Sequence, residues 1–491
     1  MLSSSNLNHP NVDGIGIINF LSHKYYFITG STGFIAKVFI EKLLREVPEV
    51  QKVYLLMRAQ NAEAAEQRLK TEIIDCELFK RVKDEHGERY NEFMKSKLVP
   101  VVGNFSDPGL GMDADLARLI ADQLNVIVNC VGNTKWHERY DVLLDVNVRG
   151  LSKLLGYAMN CKKLRLLVQV STAYVETRYE VIMENPIFME ERRIPEKKMP
   201  HFITRAELDI EAELEMVSNF ASGIPKDKLQ IEMAKFGMRR AKNLGWPNTY
   251  VLTKAMGEVV LTKFREKLPM IIIRPTLVES SLKEPFPGWI EGYRVMDPII
   301  LSYGKGQLQG ITGDPLAVLD IVPVDMVVNT MMAAIANHGI VGKPGINIYH
   351  VSSSTENPLF CHKLFEYCCN YFTLHPLKDS RGELIRGVKE MEFFTTIDEY
   401  VLFGLDANKP SNVKLHSKLV RMAAIYKGTM LNPSRFSNKN SQELFGKMSK
   451  EERKVFELNM KSIDWEDYFI NIHFPGLRKH ILKEIFLPPK L

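Results

Sequence analysis

Short apolar runs of strand character alternate with helical patterns through the first two thirds of this chain, and that rhythm leaves few folds open. The runs are 24–29 (KYYFIT), 52–57 (KVYLLM), 97–102 (KLVPVV), 125–131 (NVIVNCV), 165–171 (RLLVQVS) and 270–274 (MIIIR), with a seventh at 346–351 (INIYHV). They are apolar at consecutive positions, so both faces need covering. Strands of that kind belong to parallel sheets flanked by helices. Between the first two runs, 34–46 (FIAKVFIEKLLRE) carries apolar residues at helical spacing. The prediction is an α/β fold with a Rossmann-type doubly wound parallel sheet.

The rhythm breaks over about 176–245, a charged stretch with helical runs such as 205–216 (RAELDIEAELEM). This reads as a helical insertion packed beside the sheet. From 356 onward the pattern is mainly helical and no parallel-strand rhythm returns, giving a small C-terminal domain over 356–491 after a first domain over 13–355. Ser449 and Glu452 have the spacing of a capping box and start a late helix.

Composition removes several classes. With 45% hydrophobic and 25% charged residues over 491 positions, the chain is globular. Its 64 Lys+Arg against 59 Asp+Glu leave +5, too dilute for a nucleic-acid partner. No apolar run reaches the ~18 residues of a spanning helix, so membrane contact is at most peripheral. The candidate for it is Arg478-Lys479-His480-Ile481-Leu482-Lys483, against an ordinary solvated helix. The six cysteines contain no CxxC pair, so neither a metal site nor a disulfide framework is expected. The opening, MLSSSNLNHPNVDG, has no apolar h-region and no arginine, so neither secretion nor organelle import is evident.

Thr29-Gly30-Ser31-Thr32-Gly33-Phe34-Ile35-Ala36-Lys37 lies between the first strand and the first helix. One glycine permits a tight turn, a second lets backbone approach a pyrophosphate, and small Ala36 lets helix and strand pack closely. The helix start then offers free N–H groups to the phosphates. A merely structural turn is the alternative. The second strand ends at Arg58, where an NAD enzyme usually places an acid. An arginine there can pair with a 2′-phosphate and favours NADPH, unless it is only a solvated strand end.

Hydride transfer to a carbonyl needs a proton donor beside the nicotinamide. Tyr250 and Lys254 stand one helical turn apart in the chain's single YxxxK. Charged Lys254 would lower the Tyr250 pKa and hold the nicotinamide ribose. A hydroxyl from the fifth strand end, Thr172 first and Ser171 second, would bond the substrate oxygen. Asn147 either fixes backbone or a water near Lys254, or simply ties two elements together. Cys130 is near the cofactor by strand position and reads as a structural thiol.

TGSTGFIAK, VSTAYV and YVLTK in this order resemble the extended short-chain dehydrogenase/reductase family. GWPNTY running into TKAMGE (245–258), IRPT (273–276) followed by EPFPGWIEG (284–292), DIVPVDMVVN (320–329), and DWEDY with HFPGL (464–477) resemble the alcohol-forming fatty acyl-CoA reductases. The plant male-sterility branch is closest, including DGIGIINFL and MSKEERKVFEL. The resemblance covers roughly 13–350 and 440–485.

It implies NADPH-dependent reduction of long-chain fatty acyl thioesters, on CoA or acyl-carrier protein, to primary alcohols through an aldehyde, for wax, suberin or pollen-wall lipids. The catalytic roles fall on Tyr250, Lys254 and Thr172 or Ser171. The cofactor contacts fall on Thr29 through Ile35, Arg58, Asn147, Lys254 and Pro275. Val131-Gly132 stands where the family tends to have two alanines, and Asn104 replaces a usual aspartate. Residues about 377–435 match poorly. The branch implies a plastid, with cytoplasm or the endoplasmic reticulum surface as alternatives. Competing functions are an extended dehydrogenase or epimerase acting on a sugar nucleotide or sterol, and a non-catalytic NADPH-binding protein.

Overall fold

The computed structural model describes residues 13–133, 138–176, 180–187, 209–403, 420 and 434–484. Seven strands form one sheet: β1 (Tyr25–Thr29), β2 (Lys52–Met57), β3 (Leu98–Val102), β4 (Val126–Asn129), β5 (Leu166–Val170), β6 (Pro269–Pro275) and β7 (Gly345–Val351). Their spatial order is β3-β2-β1-β4-β5-β6-β7, with every neighbouring pair parallel. The order reverses between β1 and β4, so a crevice opens beyond their carboxyl ends, where such sheets bind ligands. Each predicted run overlaps its strand. The run at 125–131 overshoots, because the Asn129 carboxamide accepts from Val131 N at 3.1 Å and turns the chain out of the sheet.

The helices that matter for the site are α1 (Phe34–Glu46), α2 (Ala114–Gln123), α3 (Leu151–Ala158), α4 (Ile210–Ser222), α5 (Leu229–Asn243), α6 (Thr249–Thr262), α7 (Val324–Gly339), α8 (Cys361–Leu374) and α9 (Lys450–Val455). Successive strand residues feed opposite cores, as the pleat requires. Ile28, Val128, Val168 and Ile273 join a core with α1 and α7. Phe27, Ile127, Leu167 and Ile272 join another with α2, α3 and α6.

The C-terminal segments extend the first of these cores: Phe456, Tyr468, Phe469 and Phe474 are buried in it. They cover the outer side of α1, so even its Lys42 is buried, reaching the Glu284 carboxylate and the Val455 carbonyl at 2.5 Å. The capping box forms at the start of α9, and its Glu452 also accepts from Ile15 N at 2.9 Å and Ile17 N at 2.8 Å. One side chain thereby ties the segment before β1 to the C-terminal region. The region is mainly helical, as predicted, but carries short strands that no periodicity announced. Glu392–Phe394 pairs in parallel with Gly310–Thr312, and Arg435–Phe436 with Val181–Ile182.

The insertion contributes α4 and α5; its residues 188–208 lie outside the described residues. The helix predicted from 205 has its α-helical part from Ile210, capped by Asp209, which accepts from Glu211 N at 2.9 Å and Ala212 N at 3.1 Å. On α5, Gly237 approaches α6 closely. A Cβ there would stand 2.5 Å from Thr249 Cγ2 and 2.7 Å from Tyr140 Cβ. The insertion therefore braces the start of the helix that carries Tyr250.

Candidate active site

Three amides and hydroxyls lock the strand ends around the crevice. Thr29 Oγ1 donates to Asn129 Oδ1 at 2.6 Å, and Asn129 Nδ2 donates to Gln169 Oε1 at 2.7 Å. The turn beyond β1 then needs its glycine. Gly30 has φ +67°, and a Cβ there would stand 2.9 Å from the Cys130 carbonyl carbon and Val131 N. Gly33 N donates back to Gly30 O at 2.9 Å and sets up α1.

That helix begins without a side-chain cap and without an acid in its first turn, so its leading N–H groups are left for an anion. Ser31 Oγ is buried among the described residues without a partner. Thr32 and Ile35 are half-buried, and Ala36 is fully buried against the sheet. Phe34 stacks on Trp289 at 5.2 Å, with the Arg294 guanidinium 4.2 Å from its ring centre. These residues fit a dinucleotide phosphate. Arg58 is exposed just past the end of β2. Its carbonyl accepts from Arg68 at 2.7 Å, and its guanidinium makes no ion pair among the described residues.

Asn248 caps α6 by accepting from Val251 N at 2.9 Å, which places Tyr250 and Lys254 on successive turns. Lys254 Nζ donates to the Val170 carbonyl at 3.0 Å, at the end of β5. Gly132 is shaped to this ammonium: a Cβ there would lie 3.1 Å from Nζ. Burial pushes the Lys254 pKa down to about 8, with Glu258 and then Cys130 pulling it back up. Burial also raises the Tyr250 hydroxyl above the usual phenol value. The sequence argument had Lys254 lowering that pKa. Here desolvation governs Tyr250, while the lysine ammonium gives one of its three N–H groups to the Val170 carbonyl.

The two candidate hydroxyls at the end of β5 separate. Ser171 Oγ donates to Glu258 Oε1 at 2.6 Å and is committed to structure. Thr172 Oγ1 lies 3.5 Å from the Pro275 carbonyl and 3.4 Å from Tyr174 N, both long contacts, so it retains capacity for another partner. Pro275 ends β6 beside it. Asn147 Nδ2 donates to Thr253 Oγ1 at 3.0 Å, joining the turn Asp145–Gly150 to α6, while its Oδ1 is buried without a partner. The tie between two elements is thus formed by Asn147.

The support beneath these groups comes from side chains that no local motif announces. Glu258, one turn after Lys254, forms a buried ion pair with Arg274 of β6, whose Nε donates to Glu258 Oε1 at 3.0 Å. Arg274 Nη1 reaches His350 Nε2 of β7 at 3.3 Å, and His350 Nδ1 donates to the Ser437 carbonyl at 2.8 Å. Burial and the neighbouring Arg274 hold His350 near a pKa of about 3, so it is neutral and can accept from Arg274. The YxxxK spacing gave no sign of this chain. The residues IRPT and TKAMGE, noted only for their resemblance, contained two of its members.

Cys130 is pushed up to about 12 by burial, although Lys254 opposes this, so it is a thiol and no nucleophile. The terminal basic stretch folds back on the protein. Lys479 pairs with Glu77 at 2.6 Å, Arg478 with Glu484 at 2.6 Å, and His480 lies 3.5 Å from Glu77. Three of its basic side chains thus meet acidic partners within the chain, while Lys479 and Lys483 stay exposed. Among the described residues no helix is long and apolar enough to cross a membrane.

The chain is similar to known proteins in sequence and in fold. The family described as "Male sterility protein" matches residues 28–331 and again 400–484. Fatty acyl-CoA reductase 2, chloroplastic, of Arabidopsis thaliana is 44% identical, covering 96% of this chain and 80% of that protein. The alcohol-forming fatty acyl-CoA reductase of Simmondsia chinensis is 35% identical, covering 95% and 99%. Among solved structures, the terminal R domain of the myxalamid biosynthetic pathway shares the fold, with TM-score 0.58, 16% identity, and coverage of 93% and 91%. A dinucleotide-binding sheet and matches of this extent identify the chain as a member of the male sterility family of fatty acyl-CoA reductases.

Proposed function

We propose that this oxidoreductase reduces long-chain fatty acyl thioesters to primary alcohols, using NADPH. The observation that carries this is Lys254 and Tyr250 on α6 at the end of β5, next to an uncapped helix start suited to a dinucleotide. The plant relatives support the thioester substrate. Exposed Arg58 supports the phosphorylated dinucleotide over NADH.

When bound, the dinucleotide supplies hydride, first to the thioester carbonyl and then to the aldehyde left when the thiol departs. The chain's own residues do the rest. Gly30, Gly33 and the first N–H groups of α1 hold the phosphates, and Ser31 offers its unpartnered hydroxyl to them. Lys254 keeps its ammonium toward the nicotinamide ribose, with Asn147 bracing the same helix. Tyr250, kept protonated by burial, gives its proton to the alkoxide oxygen. Thr172 donates a second hydrogen bond to that oxygen and shares its charge. No acyl-enzyme is needed, which suits a Cys130 held as thiol.

The same reading assigns 13–355 to nucleotide binding and chemistry and 356–491 to acyl-chain binding, with α4 and α5 walling the entrance. The two separate family matches support the division. The chloroplastic relative supports a plastid setting. Assays with acyl-CoA and acyl-carrier protein of matched chain length, each with NADPH and NADH, test the substrate and the cofactor. Faster turnover with NADH, or no product from either thioester, contradicts the reading.

A further inference from the structure

Away from the reductase site, Glu279, Asp297 and His473 are fully buried and bring one ligand atom each within 4.8 Å of one another. They come from the end of the short strand Leu277–Glu279, the start of the helix Asp297–Gly304, and the C-terminal turn Tyr468–His473. Glu279 Oε2, Asp297 Oδ1 and His473 Nε2 each lack a hydrogen-bond partner among the described residues. Buried polar atoms without partners are uncommon, and three converging on one point call for something between them.

The remaining atoms of the cluster are already committed. Glu279 Oε1 accepts from Met296 N at 2.9 Å, and Asp297 Oδ2 accepts from Arg294 N at 2.5 Å. Tyr468 gives its one proton to the Ser280 carbonyl at 2.8 Å, so in its 3.2 Å contact with Ser280 Oγ it accepts. Ser280 has then used its own proton, and its oxygen accepts from His473 Nδ1 at 2.9 Å. In this arrangement Nδ1 carries the proton and Nε2 the lone pair, the tautomer in which an imidazole ligates a metal.

That nitrogen stands 3.3 Å from Asp297 Oδ1 without hydrogen-bond alignment. A lone pair facing a carboxylate oxygen needs a cation between them. Metal–ligand bonds of about 2.0–2.2 Å put neighbouring ligands of a tetrahedral zinc about 3.3–3.6 Å apart, which the 3.3 Å separation of His473 Nε2 and Asp297 Oδ1 matches. Arg294 lends positive charge to both carboxylates, but its guanidinium lies over Phe34 and makes no direct ion pair with either among the described residues, so the point between the three ligand atoms is left open.

We propose that Glu279, Asp297 and His473 bind one divalent metal ion of the zinc class, clipping the C-terminal segment to the region beyond β6. The early expectation of no metal rested on cysteine spacing, which does not bear on a carboxylate–imidazole set. Complete burial of all three ligands makes the role structural.

The test is the metal content of the full chain, purified without chelator from zinc-supplemented medium and read by plasma mass spectrometry. About one zinc per chain is expected. Glu279→Gln and His473→Gln bring it to background, while Tyr250→Phe retains it. Melting of the unmodified chain is a second measurement that needs no variant: a strong chelator lowers Tm and added zinc restores it. Background metal with a Tm unmoved by chelator or zinc overturns the proposal, leaving a shared proton in the cluster. Full zinc content in both ligand variants overturns it as well.

Discussion

The hydroxyl of Ser171 donates to the carboxylate of Glu258 at 2.6 Å, and this contact divides two adjacent hydroxyls into a structural one and a free one. Ser171→Ala removes a hydrogen bond to a charged group, costing about 1.5–3 kcal/mol of stability with chemistry largely kept. Thr172→Ala loses the long cap bond to Tyr174 N, costing about 0.5–1 kcal/mol of stability, and lowers kcat about a hundredfold, the usual effect of losing one donor to a developing oxyanion. Steady-state kinetics and denaturant unfolding on both variants separate the two roles.

Arg274 and Glu258 are both buried, so removing one partner strands the other's charge. Arg274→Met therefore destabilises the chain by about 3–5 kcal/mol. The double variant Arg274→Met with Glu258→Gln loses much less than the sum of the singles, because no uncompensated charge remains. Chemical denaturation of the four proteins of this cycle measures the coupling.

Lys254 has its folded pKa pushed down to about 8 from an ordinary value of 10.5. Its charged form binds the cofactor ribose, so kcat/KM for NADPH holds below about pH 8 and falls above it. Stability runs the other way. Between about 8 and 10.5 the unfolded chain holds more protons at this site than the folded one, so its contribution to stability rises with pH across that window. Lys254→Met removes both dependences, measurable by pH-dependent kinetics and melting.

Arg58 stands exposed at the end of β2. Arg58→Ala raises KM for NADPH about tenfold, equivalent to about 1.4 kcal/mol, and leaves KM for NADH unchanged. Equal loss with both cofactors would place the arginine's role elsewhere.

How much of this was legible in the sequence follows from the range of each interaction. Strands buried on both faces announce themselves locally, so runs such as 52–57 coincide with β2, and the spacing at 34–46 coincides with α1. The Gly30 turn and the Tyr250–Lys254 pair were likewise readable, because each is a local motif. Ser171 and Thr172 were not separable, since their difference lies in Glu258, 87 residues away. Arg274, His350 and Ser437 meet only through the parallel pairing of β6 with β7 and the docking of the C-terminal segment. The strand at Arg435–Phe436 is too short for any periodicity to reveal. The fold was thus largely readable, while the support beneath the site depended on tertiary contacts.

The most direct test of the account is product analysis with palmitoyl-CoA or palmitoyl-acyl-carrier protein and NADPH, comparing the unmodified chain with Tyr250→Phe. The account predicts hexadecanol, with two NADPH consumed per alcohol, and a rate in Tyr250→Phe lower by about a hundredfold to ten-thousandfold. An unmodified chain that forms no alcohol from either palmitoyl-CoA or palmitoyl-acyl-carrier protein, or a Tyr250→Phe variant that forms it at the same rate, would contradict it.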